Sequence, residues 1–270
     1  MANSAYTSGF NTDSLFVAAK AATVFAAHES SLFLTGGIVP VVNAPNGLLQ
    51  VPFLDNISAV TAITSEAAEG VDIDAKLAPS SGKATPIQAD LYAARSVVRD
   101  LGNIDPSEIG RVLGNGVAKA FDTAVITAMN GLTASAAAPI SVDALFDAAA
   151  QIRGNGEMGQ LMGILSTAEA STLMKDIGTN AYGGGDFQSE AMRNGFLGQV
   201  AGIQLFQSSY ITGANKGFVF SKDSMRIAMQ RNVTMEMARR AEAVGQDVVA
   251  SLMAGVGVID ATRGVKLVTA

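Results

Sequence analysis

The sequence predicts an α+β fold from three stretches: one long amphipathic helix over Asp105 to Leu132, a long strand hairpin over Leu48 to Asp90, and a strand-rich run from Gly198 onward. The helix carries the clearest signal. Asp105 stands at the N-cap, Pro106 sits at the first helical position where its missing N–H costs nothing, and Glu108 completes an Asp-x-x-Glu capping box. Ile109, Val112, Leu113, Val117, Ala120, Phe121, Ala124, Val125, Ala128 and Met129 recur at three- and four-residue steps and form the expected core face. Glu108, Arg111, Asn115, Lys119 and Asp122 line the expected wet face. Asn130-Gly131 is the expected left-handed stop, which leaves roughly seven turns, on the order of 37 Å. Gly110, Gly114 and Gly116 each cost up to about 1 kcal/mol relative to alanine inside a helix, so another backbone, expected to be β, passes close by. The helix reads as a spine on which the other elements are hung.

Composition bounds the rest. The 270 residues are 49% hydrophobic, ample for a core in one large or two small domains. A mean hydropathy of +0.30 is high, yet the most apolar run, Val248 to Ile259, is broken by Ser251 and Gly255 and is too short to span a bilayer. Hydrophobicity without a membrane span fits a subunit that buries surface against neighbours, although an alanine-rich sequence also raises the score. No basic segment followed by an apolar one opens the chain, so synthesis in the cytosol is expected. The absence of cysteine excludes disulfides, thiolate nucleophiles and cysteine-ligated zinc, and the single histidine, His28, argues against histidine-based catalysis. A net charge of −6 argues against tight nucleic-acid binding, which needs clustered Lys and Arg.

In order, residues 1–47 read as an arm: polar at first, helical around Ser14 to Ala27, then broken by Gly36-Gly37, Pro40 and Pro45. Residues 48–90 read as the hairpin, with strand segments LLQVPF and ISAVTAIT, an acidic tip SEAAEG and the return VDID. A lone hairpin is marginal in water, so this one needs a support, either a neighbouring subunit or its own domain. Residues 91–132 lead through Arg95 and Arg99 into the spine helix. Residues 133–222 read as a separate lobe: a connector TASAAAP, a helix opened by Ser141 with Val142, Leu145, Phe146, Ala149 and Ile152 on one face, a strand Leu161 to Leu165, and a short helix opened by the capping box Ser166-Thr167-Ala168-Glu169. Residues 223–270 supply strands expected to pack back along the spine helix.

Motifs that suggest chemistry fail on context. Gly154-Asn155-Gly156-Glu157-Met158-Gly159 matches G-x-G-x-x-G, but a helix precedes it and a strand follows, the reverse of a dinucleotide site. Ser81-Gly82-Lys83-Ala84 resembles the end of a phosphate loop, yet Leu77 and Ala84 occupy positions that need Gly and Ser or Thr. Asp72 and Asp74 share one side of a strand without the further ligands a cation needs. Arg231, Arg239 and Arg240 lie among Glu236, Glu242 and Asp247, so ion pairs are expected there. No catalytic, cofactor or metal residue is assigned, and an enzyme is not expected.

The order of parts, with the stretches GFLGQVAGIQLFQSS, GFVFSKDSMRIAMQ and AEAVGQDVVASLMAGVGVIDATRGVKLV, resembles a tailed-bacteriophage major capsid protein of the HK97 fold over nearly the whole chain. The resemblance implies an N-terminal arm (1–47), an extended hairpin loop lying over a neighbouring subunit (48–90), a peripheral domain with the spine helix (91–132 and 223–270) and an axial domain at capsomer centres (133–222). It implies a structural protein that self-assembles through hexameric and pentameric capsomers into an icosahedral shell around a double-stranded DNA genome. Portal, scaffolding or decoration proteins are its implied further partners; no membrane is involved, and the implied location is the virion, assembled in the host cytoplasm. Glu66, Glu69, Asp72, Asp74, Lys76 and Lys83 of the extended loop are the implied inter-subunit contacts. Some family members cross-link Lys to Asn; Lys76 and Lys83 lie in the loop, but no partnering Asn and Glu can be assigned. An encapsulin-like compartment shell shares the fold and is the alternative. A flagellin-like filament, suggested by a chain rich in alanine and lacking tryptophan, needs helices at both ends.

Overall fold

The computed structural model describes residues 12–34, 37–52, 84–99, 106–136, 140–179, 196–212 and 215–268. In chain order these form helix α1 (Thr12–Ser30), strands β1 (Val41–Asn43), β2 (Leu48–Pro52), β3 (Ala84–Gln88) and β4 (Asp90–Arg99), helix α2 (Pro106–Met129), strand β5 (Thr133–Ala136), helix α3 (Val142–Gly154), strand β6 (Leu161–Ser166), helix α4 (Thr167–Thr179), and strands β7 (Phe196–Val200), β8 (Ile203–Ser208), β9 (Asn215–Ser221), β10 (Met225–Arg240), β11 (Gly245–Val258) and β12 (Gly264–Val268). A four-stranded sheet runs β1-β10-β11-β4, a six-stranded sheet runs β5-β12-β9-β6-β8-β7, and β2 pairs with β3 alone.

The spine helix is α2, and its 24 residues give about 36 Å. It buries Leu113, Val117, Ala118, Phe121, Val125, Ile126 and Met129. Two neighbours share that surface: α1 on one side, β11 and β4 on the other. The buried arc is therefore rotated and widened relative to a single apolar stripe. Val112, expected inside, is 59% exposed, and Asp122, expected in water, is 1% exposed. The stop also differs from expectation. Asn130, Gly131 and Leu132 N–H groups donate back three residues to Thr127, Ala128 and Met129 carbonyls at 3.1, 3.0 and 3.0 Å, and Gly131 has no positive φ, so the end tightens into a 3₁₀ turn. Asp105, the expected cap, lies outside the described residues.

The spine glycines also correct the reading. A Cβ on Gly110 would overlap the carbonyl oxygen of Ala19, and one on Gly114 that of Thr23. The close backbone is thus helix α1, not a strand. Gly110 and Gly114, four apart, face Ala19, Thr23 and Ala27, also four apart and all buried. Two smooth faces meet. Gly116 differs: its Cβ would stand 3.5 Å from that of Ala94 on β4, an ordinary contact.

The same packing revises the arm. Over residues 12–34 and 37–47 the chain lies on its own subunit, and Ala19, Ala27, Phe33, Leu34, Ile38 and Val39 join the core of α2, β10 and β11. A polar latch closes it. Ser31 Oγ donates to Asp122 Oδ1 at 2.6 Å, Leu32 N–H donates to Oδ2 at 2.9 Å, and Ser31 Oγ accepts from Phe33 and Leu34 N–H at 3.3 and 3.2 Å. Burial pushes the Asp122 carboxyl above its ordinary value, against the lowering effect of hydrogen bonds from Ser31 and the Leu32 and Phe33 N–H groups. The folded state then holds this proton more tightly than the unfolded chain, so the contribution of Asp122 to stability is greatest at acidic pH and falls as pH rises through the folded value. Asp122→Asn keeps the shape and cannot ionise. Its urea midpoint is expected to gain on that of the wild type between pH ~4 and pH ~7; a difference that does not change with pH would remove Asp122 as the cause.

The six-stranded sheet is buried on both faces. Met162, Ile164, Phe218 and Phe220 join the spine core, whereas Leu161, Leu165, Leu205, Val219, Val265 and Leu267 form a second core under α3 and α4. This is why β6 reads as a continuous apolar run. Ser141 caps α3 as expected, accepting from Ala144 N–H at 3.2 Å. Ser166 caps α4 through Glu169 N–H at 3.3 Å, but the Glu169 carboxylate leaves the expected box to pair with Lys216 at 2.6 Å. Phe146 is 55% exposed, one position off the buried face of Val142, Leu145, Ala148, Ala149 and Ile152. The expected connector TASA is strand β5, parallel to β12. Strand β12, expected along the spine helix with its predecessors, pairs with β5 and β9 in the six-stranded sheet. The closing strands are thus divided between the two sheets.

Candidate assembly surface

The root of the hairpin is built on the four-stranded sheet. Strand β1 runs parallel to β10, and Ala44 N–H extends that pairing to the Met229 carbonyl at 2.8 Å. Gly47, at φ +72°, turns the chain outward into β2. Its carbonyl accepts from Ala89 N–H at 2.8 Å, which ties the two legs together where they leave. Beyond that tie β2 and β3 pair antiparallel from Leu48↔Gln88 to Pro52↔Ala84. Ile87, Ala44 and Ala228 form a small buried cluster with Leu49 and Val51 against it. The root therefore packs on its own subunit. Glu66, Glu69, Asp72, Asp74, Lys76 and Lys83, the expected contact residues, all lie outside the described residues, as does the Asp72/Asp74 pair considered for a cation. Among the described residues no group of three His, Cys, Asp or Glu side chains could hold a metal ion.

The four-stranded sheet presents its other face outward next to the root. Leu91 and Val97 of β4 are exposed on it, and Asp247 of β11 stands opposite Val97 in register. Arg95 Nε donates to Asp247 Oδ1 at 2.6 Å and Nη2 donates to Oδ2, and this pairing, hydrogen bonding first, holds the Asp247 carboxyl below the usual range. The ion pairs expected here are met in part: Arg240 lies 4.0 Å from Glu242, whereas Arg231 Nη2 donates to the Ser251 hydroxyl at 2.8 Å rather than to an acid. His28 lies in the last turn of α1, its Nε2 3.4 Å from Asn232 Nδ2. Large apolar side chains also stand exposed elsewhere: Val17 and Phe25 on α1, Val112 on α2, Phe146 on α3, Met158 after it and Val244 between β10 and β11. Sequence periodicity missed this scatter because it assigns residues to one buried face per helix. Spread over several elements, the residues suit repeated modest contacts better than one large pocket.

The chain passes between the two sheets at one hydrogen-bonded joint. The Ser224 carbonyl accepts from Ile259 and Asp260 N–H at 2.8 and 3.2 Å, and Thr133 Oγ1 donates to the Ala261 carbonyl at 2.8 Å. Arg263 lies between Glu157 at 3.1 Å and Asp260 at 3.0 Å, and Asn155 Nδ2 donates to the Thr262 carbonyl at 2.7 Å. The glycine-rich turn at 154–159 is thus occupied in holding the joint: Glu157 Oε1 accepts from Gly159 N–H at 2.8 Å.

A long spine helix packed on a strand ladder, with a separate helix-flanked sheet and a two-stranded pair rooted on the ladder, defines the HK97 capsid fold. Solved structures bear this out. The virus-like particle from Pyrococcus furiosus superposes with a TM-score of 0.65 at 14% identity, covering 93% of this chain and 98% of that one. The capsid of cyanophage P-SCSP1u gives 0.61 at 18% identity over 86% of each chain, and the capsid of Ralstonia phage GP4 gives 0.62 at 11% over 86% of each. No family model and no curated protein sequence matches the chain. The capsid fold, with β10 and β11 in one sheet and β12 in the other, is not that of a helical flagellin-like filament, which overturns that reading.

Proposed function

We propose that the protein is the major capsid subunit of an icosahedral phage shell and that its role is structural rather than catalytic. The observation that carries the reading is the extent of the likeness, which runs over 86% or more of this chain in each of the three particle-forming proteins above. The surface agrees in kind. Exposed apolar side chains on several elements give many weak contacts, and closed symmetry makes such contacts cooperative. A net charge of −6 keeps packaged DNA from adhering to the wall. Self-association through hexameric and pentameric capsomers follows from this reading, with portal, scaffolding or decoration proteins as further partners, a double-stranded DNA genome as content, and assembly in the host cytoplasm. The axial role of residues 133–222 belongs to the same proposal.

A compartment shell that holds a cargo protein is the second reading, and the likeness to the Pyrococcus furiosus particle chain is consistent with it too. Negative-stain microscopy of the expressed protein tests the class. Icosahedral particles are expected, and a monomer or a filament at assembly concentrations would overturn the proposal. A portal at one vertex with DNA inside distinguishes the virus, whereas a uniform shell with bound protein cargo distinguishes the compartment.

A further inference from the structure

We propose that Gly255 and Gly257 form a seat that fixes the direction in which the hairpin leaves the subunit, and that this direction decides whether subunits close into a shell. The second half rests on the shell reading. The seat itself rests on geometry within one chain. Strand β4 pairs with β11 from Arg99↔Gly245 to Asp90↔Ala254, and there the ladder ends. The next residue back along the chain is Ala89, and from it β3 leaves the plane and crosses over β11. The crossing is possible because β11 carries no side chain beneath it. A Cβ on Gly255 would overlap the Gln88 carbonyl group, and one on Gly257 would come within 2.6 Å of Ile87 Cγ1 and 3.0 Å of Cδ1. Two residues apart, both glycines point to the same face of the strand. Neither has a positive φ, so backbone conformation does not require glycine at either position. Space does. On β10 the residue across from Gly255 is Ala228, fully buried beneath the root, so the seat continues as small residues over two strands.

The consequence is mechanical. Both legs are tied at Gly47 and Ala89 and cannot yield separately, so a side chain added under β3 must tilt the whole root. A tilt at the root redirects β2 and β3 together where they lead away from the sheet.

Gly257→Ala tests this, because its obstacle is a side chain that can be cut back. Gly257→Ala with Ile87→Ala removes the obstacle and supplies the compensating pair. The native chain has no cysteine, so Gln50→Cys and Ala241→Cys, both at exposed positions, carry a spin-label pair that measures the root against the sheet. Gly257→Ala is expected to shift that distance by a few ångströms and to reduce the particle fraction by more than about tenfold, since each weakened contact recurs around a closed shell. The double variant is expected to restore both. Gly154→Ala, where nothing stands within 4 Å, should change neither. An unchanged distance in Gly257→Ala, or a shifted distance that the double variant leaves uncorrected, would overturn the seat. Normal assembly despite a shifted distance would overturn its role in closure. Particles absent from the wild type, with the distances behaving as expected, would sink the shell reading and leave the seat standing.

Discussion

Gly114→Ala is expected to destabilise the subunit by about 1–3 kcal/mol, the range for overfilling a close-packed contact. The sign is the informative part. In an isolated helix the same change is favourable by up to about 1 kcal/mol, because alanine loses less backbone freedom on ordering than glycine. In α2 the new methyl would meet the Thr23 carbonyl, with Ala27 N only 3.1 Å away, and neither atom can rotate aside. Helix α1 must lift, and the contacts of Ala19, Thr23 and Ala27 go with it. Gly116→Ala, two residues along the same helix, gives the opposite expectation: its methyl finds Ala94 at an ordinary 3.5 Å, so the propensity gain should survive. Urea unfolding of the two variants beside the wild type reads both signs. A Gly114→Ala subunit as stable as Gly116→Ala would mean that α1 is not held against the spine.

That pair of glycines also marks the limit of what the sequence discloses. A glycine inside an amphipathic pattern announces that something approaches closely, and Gly110 and Gly114 do so. It does not say what approaches. The alanines at 18, 19, 21, 22, 26 and 27 were the complementary signal: a helix with so little side chain along its length can come close to a glycine face. Read as an arm, α1 had no partner to offer. Asp122 escaped for a related reason. A carboxylate at a helical position is assigned to water unless its partners can be foreseen, and Ser31 and Leu32 lie some ninety residues away in sequence. The spine helix, the hairpin root, the helix-strand-helix order of the central lobe and the long terminal strands were legible because each is a local pattern. The division of those strands between two sheets was not, since Val265 and Leu267 alternate equally well against either one. The candidate surface was legible least of all. Exposed Val112 and Phe146 each sit one step from a buried face, a distinction that only the packed neighbours draw.

Deleting Glu66 to Gly82 is expected to abolish shell formation while leaving the subunit folded. The two halves of that expectation have separate causes. Folding should survive because the root is complete without the removed residues: the pairing from Leu48↔Gln88 to Pro52↔Ala84, the tie from Ala89 to Gly47 and the Ile87–Ala44–Ala228 cluster all lie outside the deletion. Shortening the connection between β2 and β3 to roughly half also lowers its closure entropy by about 0.6 kcal/mol, so the urea midpoint should hold or rise slightly. Assembly should fail because the deletion removes Glu66, Glu69, Asp72, Asp74 and Lys76, the charged side chains proposed to meet a neighbour, from every subunit of the shell at once. A loss of even about 1.4 kcal/mol per contact is a factor of ten in each association constant, and a closed shell repeats it around every capsomer. Circular dichroism and urea unfolding follow the first half; sedimentation and negative-stain microscopy follow the second. Particles of wild-type number and stability would show that the hairpin is dispensable to its neighbours. An unfolded deletion variant would show instead that the projection supports its own subunit.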